Sequence, residues 1–89
     1  MLRIVRIDTA HGDCLLRLEG RLIGPWVDEL RRSCDDAGAR ANHVALDLVH
    51  LSFADRDGLR LLQALTERGI ALLNSSPFVA EQLKAWAEP

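Results

Sequence analysis

The sequence predicts a single small α/β domain over residues 1–89, a mixed β-sheet with helices mainly on one face and elements in the order ββαβαβα. Three observations predict it. Short segments with an apolar residue at every second position alternate with longer ones whose apolar residues recur every three to four. Glycine or proline stands at most of the joins. The centre of the chain reads strand, helix, strand, which sets those two strands parallel through a right-handed crossover.

Leu2-Arg3-Ile4-Val5-Arg6-Ile7-Asp8 alternates for much of its length and is rich in β-branched residues, the pattern of a strand. Thr9 to Gly12 is a turn, and Cys14 to Glu19 is a second strand, antiparallel to the first across so short a connection. Gly20 to Gly24 reads as a loop that delivers Pro25 to a first helical turn, where its missing N–H costs nothing. Trp26, Val27, Leu30, Cys34 and Ala37 then form one apolar stripe, and Gly38 is the expected stop. His43 to Val49 is a strand whose Ala45/Asp47 face is partly polar, so helices should cover the other face only. After a short link, Asp55 to Arg68 reads as a helix with Leu59, Leu62 and Leu65 inward and Arg60, Gln63 and Glu67 outward. Gly69 closes it, with Ile70 folding back as the hydrophobic partner of the helix end. Ile70 to Leu73 is a short buried strand. Ser76 and Pro77 then start a last helix that docks through Val79, Leu83 and Trp86.

Hydrophobic residues at 48% and charged residues at 27% exclude a disordered or collagen-like chain. A net charge of −2 argues against a nucleic-acid module, which needs a basic face to neutralise phosphates. Met1-Leu2-Arg3 lacks the apolar core of a secretory leader, and no apolar run is long enough to span a bilayer, so a cytoplasmic location is expected. Cys14 and Cys34 fall in apolar stretches and read as reduced core thiols. His11, His43 and His50 have no metal-site spacing, and no cofactor is expected. Asp55 and Asp57 with Asp47 upstream could hold a divalent ion only weakly, without assured convergence of three oxygens. No nucleophile elbow, Walker A, HExxH or CxxC pattern is present, so no catalytic residue is assigned and an enzyme is disfavoured.

The informative segment is Leu46 to Leu59, where a strand ends and a helix begins, with Asp55 placed as N-cap and Asp57 in the first turn. Val44-Ala45-Leu46-Asp47-Leu48 followed by Leu51-Ser52-Phe53-Ala54-Asp55-Arg56-Asp57-Gly58-Leu59 resembles the signature of the STAS domain family, whose usual motif is apolar-Asp-Ser-Ser-Gly-Leu. The likeness extends over nearly the whole chain. It implies a binding switch of the anti-sigma-factor antagonist type. In bacterial members a kinase that is itself an anti-sigma factor phosphorylates the second serine of the motif, and phosphorylation releases the antagonist. On this resemblance Asp55, Gly58 and Leu59 match, Arg56 stands at the first serine position, and Asp57 stands at the phosphoacceptor position.

Two departures follow. Asp57 cannot accept phosphate from a serine kinase in the family manner. Where members often read Gly-Glu-Leu-Asp before the first helix, this chain reads Gly20-Arg21-Leu22-Ile23. A fixed acid at 57 with the loop acid gone and Arg21 nearby suggests an Asp57–Arg21 pair across the site. A full phosphoserine mimic is disfavoured, because phosphoserine carries about −1.5 to −2 charge and aspartate one. The expectation is a non-enzymatic protein-interaction module in transcription regulation, independent of serine phosphorylation. Its partner-binding residues would be Arg21, Asp55, Arg56, Asp57, Gly58, Arg60 and Gln63, with Asp55 and Gly58 shaping the Ser52–Leu59 loop. The implied partner is an anti-sigma factor or serine-kinase-like protein. Subunits of a lipid-transport ATP-binding-cassette complex, or a nucleotide, are the alternatives.

Overall fold

The computed structural model describes residues 1–87, with side chains through residue 85. The chain runs β1 (Leu2–Asp8), β2 (Cys14–Leu22), α1 (Pro25–Arg40), β3 (Val44–Ala54), α2 (Arg56–Glu67), β4 (Ala71–Leu73) and α3 (Pro77–Ala87). The sheet order is β1-β2-β3-β4, with β1 antiparallel to β2 and the other neighbours parallel. Two successive right-handed crossovers that step the same way along a sheet put both connecting helices on one side. α3 packs against α2 and β3, so it joins the same layer.

The core lies between that layer and one sheet face. Leu16, Leu18, Leu46 and Leu48 from the strands meet Leu30 and Cys34 of α1, Leu62 and Leu65 of α2, and Val79 of α3, all fully buried. Leu83 packs against this cluster as expected; the side chain of Trp86 lies outside the described residues. The other sheet face has no helix among the described residues and carries Val5, Ile7, Leu15, Arg17, Asp47, Val49 and Leu73.

Three boundaries differ from the sequence reading by more than one residue, each for a physical reason. β2 does not stop at Glu19. It continues through Gly20 to Leu22, because Arg21 and Leu22 pair with Phe53 and Ala54. The same pairing extends β3 to Ala54, so the expected Ser52–Leu59 loop shrinks to Asp55 alone between strand and helix. α1 passes through Gly38 and ends at Arg40. Its exit is fixed instead by Asn42, whose N–H donates to the Gly12 carbonyl at 2.8 Å and whose side-chain amide donates to the His11 carbonyl at 3.3 Å.

The end of α2 follows expectation. Gly69, at φ 88°, donates to Thr66 and Ile70 donates to Leu65, both at 3.0 Å, the paired bonds of a Schellman motif. At the start of α3 the Ser76 hydroxyl accepts from the Val79 N–H at 3.2 Å.

Candidate functional site

Asp55 joins three segments. Its own N–H donates to the Leu22 carbonyl at the end of β2 (3.1 Å), and its carbonyl accepts the Leu59 N–H of α2 (2.8 Å). One carboxylate oxygen accepts the Gly58 N–H at 2.8 Å and caps α2; the other accepts the Gly24 N–H, just before α1, at 3.0 Å. A single acid therefore ties the starts of both long helices to the end of the central strand pair. Capping with two charge-assisted bonds is worth about 1–2 kcal/mol.

Gly58 lets α2 close onto β2. A Cβ there would stand 2.7 Å from the Leu22 carbonyl oxygen and 3.0 Å from Leu22 Cγ. Asp55 and Gly58 thus build the corner and present little of themselves: Asp55 is half-buried and Gly58 buried.

Around this frame Arg56, Asp57 and Arg60 are exposed on the first turns of α2. Asp57 sits where the partial positive charge of the helix start favours an acid. Asp57, Arg60, Leu61 and Ala64 form one wall of an open groove of about 440 Å³, and Gly24 with Val27, Asp28 and Arg31 from α1 forms the other. Asp28 and Arg31 are ion-paired with each other along α1. The α1 wall was not foreseen. Asp28 and Arg31 at i, i+3 were a signal in the sequence, but nothing local said that this turn would face α2.

The expected Asp57–Arg21 pair is absent among the described residues. Leu22 is buried under Gly58 on the helix side, so its strand neighbour Arg21 points to the opposite sheet face. There its guanidinium lies over the ring of Phe53, its register partner, at 5.5 Å from the ring centroid, a cation–π contact. Arg21 therefore does not share a corner with Arg56 and Asp57. Gln63 also departs from expectation. It is half-buried, not outward, with its Oε1 enclosed, because α2 is flanked by α3 as well as α1.

Asp47 lies apart from these acids, on the uncovered sheet face, and is itself buried. It accepts from Asn74 Nδ2 (3.1 Å), the Val49 N–H (3.0 Å) and Arg17 Nε (3.4 Å). The Asn74 bond foremost, then the Val49 N–H, holds its carboxyl below the usual carboxylate range. Asn74 adopts a left-handed backbone (φ 58°) immediately after β4, so Asp47 fastens the point where β4 leaves the sheet. Among the described residues no three His, Cys, Asp or Glu side chains gather as a metal site. Burial pushes the Cys34 thiol up to about 11 and raises that of Cys14.

The family model for the STAS domain matches residues 5–87. The chain belongs to the STAS domain family. No curated protein matches the sequence of this STAS domain. Among solved structures it is similar to the anti-sigma factor antagonist SpoIIAA in its unphosphorylated form, with TM-score 0.72 and 21% identity over 92% of this chain and 82% of that one. It is also similar to the STAS domain of an antisigma-factor antagonist from Rhodobacter sphaeroides, with TM-score 0.66 and 16% identity over 82% of this chain and 86% of that one. Among the described residues of this STAS domain no helix is long and apolar enough to cross a membrane.

Proposed function

We propose that this STAS domain is a non-catalytic protein-recognition module of the anti-sigma-factor antagonist type, acting in a bacterial cytoplasmic partner-switching pathway that controls transcription. It docks through the exposed start of α2, with Arg56, Asp57 and Arg60 as contact side chains, and it does so without serine phosphorylation. One observation carries the reading. Both oxygens of Asp55 hold the corner from within, and Arg56, Asp57 and Arg60 are exposed around it. On the correspondence drawn from sequence, the motif positions that match the family pattern are those that build the corner. The two that differ, Arg56 and Asp57, are exposed beside it.

The partner fitting this reading is an anti-sigma factor of the serine-kinase class. Calorimetric titration against such a kinase from the same genome tests it. Binding that persists with ATP present, and that weakens tenfold or more, about 1.4 kcal/mol, in Arg56→Ala and Asp57→Arg, is the expected result. Asp57→Ser should then take up phosphate from that kinase and lose affinity. Binding unchanged in both corner variants would place the interface elsewhere and refute the assignment.

A further inference from the structure

We propose that β1 is the interface of a two-fold homodimer, its outer edge pairing antiparallel with β1 of a second copy so that the two sheets become one of eight strands. β1 stands at the edge of the sheet and pairs with β2 over all of Leu2–Asp8 without a register shift. Among the described residues no strand lies against its other side. Exposed edges of this length are normally blunted by charged side chains, proline, a bulge or a cover. β1 has no proline and no shift, and its charged side chains are paired within the chain, Arg3 with Glu19 and Arg6 with Asp8. A groove of about 350 Å³ runs beside it instead, with Leu2, Ile4 and Arg6 facing Trp26, Glu29 and Asp36 of α1.

An extended segment with apolar side chains followed by a basic one on the helix side fits that edge, and Leu2, Ile4 and Arg6 give β1 that pattern. Antiparallel pairing about a two-fold axis sets residues of the same sheet face opposite each other, so the axis must pass through a residue pair. Centring on Arg6 would oppose two arginines, and centring on Ile4 would leave Ile7 and Asp8 unpaired. Centring on Val5 uses every residue of β1, matching Leu2 with Asp8, Arg3 with Ile7, Ile4 with Arg6, and Val5 with its own copy. No like charges then stand opposite.

The groove supplies the charge complement. α1 connects two parallel strands, so it runs in the same direction as β1, and the 3.2 Å Arg6–Asp36 bond fixes their relative height. Glu29 lies seven residues before Asp36, about 10 Å along the helix, or about three residues along a strand. That places Glu29 level with Leu2–Ile4, where Arg6 of the second copy arrives. Arg6 spends Nε on Asp8 and Nη1 on Asp36 in its own chain, leaving Nη2 for Glu29 of the second copy. A single strand pairing falls at the small end of interface sizes, so a reversible dimer in the micromolar range is expected.

Sedimentation equilibrium across the micromolar range tests this, with wild-type mass rising from one chain towards two. Val5 is half-buried on the uncovered face, so Val5→Lys should leave the fold intact by circular dichroism while setting like charges across the axis. It should weaken association about tenfold or more, as should Val5→Glu. An equimolar mixture of the two variants should recover a heterodimer by native mass spectrometry, because residue 5 faces only itself in this register. A wild type that stays monomeric, a Val5→Lys variant that associates like wild type, or a mixture that fails to pair would each overturn the proposal.

Discussion

Gly58 and Gly38 are both helical, and the structure gives them opposite fates when replaced by alanine. At Gly58 the added Cβ meets the Leu22 carbonyl oxygen at 2.7 Å, Leu22 Cγ at 3.0 Å and Leu22 Cδ2 at 3.2 Å, all inside ordinary contact. The backbone oxygen cannot rotate away, so the first turn of α2 must lift by roughly half an ångström, which is the scale of overpacking that costs about 1–3 kcal/mol. Lifting it also stretches the Gly58–Asp55 cap bond and the Asp55–Leu22 bond. The intrinsic advantage of alanine over glycine in a helix returns up to about 1 kcal/mol. The net loss is about 1–2 kcal/mol, and for a domain of this size about 4–16 °C in melting temperature. Gly38 has nothing within 4 Å of its built Cβ and stands exposed within α1. Gly38→Ala should therefore gain about 0.5–1 kcal/mol, or about 2–8 °C. Thermal melts with urea titrations decide the matter. A Gly58→Ala variant that melts at or above wild type would refute the close approach that frames the site.

Asp55→Ala removes the cap of α2 and the acceptor for Gly24 together, and should cost about 2 kcal/mol in urea unfolding, with amide exchange accelerated at Gly24 and Gly58. The Asp47 carboxyl is held below its ordinary range, so its contribution is complete above the unfolded pKa of about 4 and is lost as pH falls through the lower folded value. Asp47→Asn should accordingly be less stable than wild type at neutral pH and show a flatter decline on acidification, read from urea midpoints along an acid titration. Cys34 is fully buried with its thiol pushed up to about 11, so a thiol reagent at mildly alkaline pH should label it only as fast as the chain opens, and at once in denaturant.

Element types and their order were legible because each strand and helix carries its own period, and because Gly69, Ser76 and Pro77 act locally. The N-cap role of Asp55 was legible for the same reason. The long-range features were not. That β2 and β3 run on to Leu22 and Ala54 follows from each providing the other's hydrogen-bond partners, which neither segment announces alone. Gly38 looked like a helix stop because glycine permits one, yet the stop is imposed by Asn42 reaching the β1–β2 turn. Arg21 was assigned to the corner through the resemblance, because it stands two positions before Ile23, where family members often carry the loop acid. Strand alternation, fixed by Leu22 packing under Gly58, sends it through to the other face and onto Phe53.

The division of labour at the corner bears on why an aspartate can stand at position 57 without disturbing the fold. No described bond of the frame uses the Asp57 side chain; the frame is Asp55, Gly58, Gly24 and Leu22. Asp57 contributes only its interaction with the helix start, about 0.3–1 kcal/mol. Asp57→Ser should thus lower stability by no more than about 1 kcal/mol, a shift of a few degrees, whereas Asp55→Ser should cost clearly more despite the same change in side-chain type. If Asp57→Ser unfolded the domain, recognition and folding would share that side chain, and a partner-facing role separable from stability would fail. If instead the melt barely moves while affinity for a kinase-class partner changes tenfold, the residue belongs to the interface alone. The scaffold then tolerates a fixed charge or a hydroxyl at that position equally, and partner choice, not stability, decides which is kept.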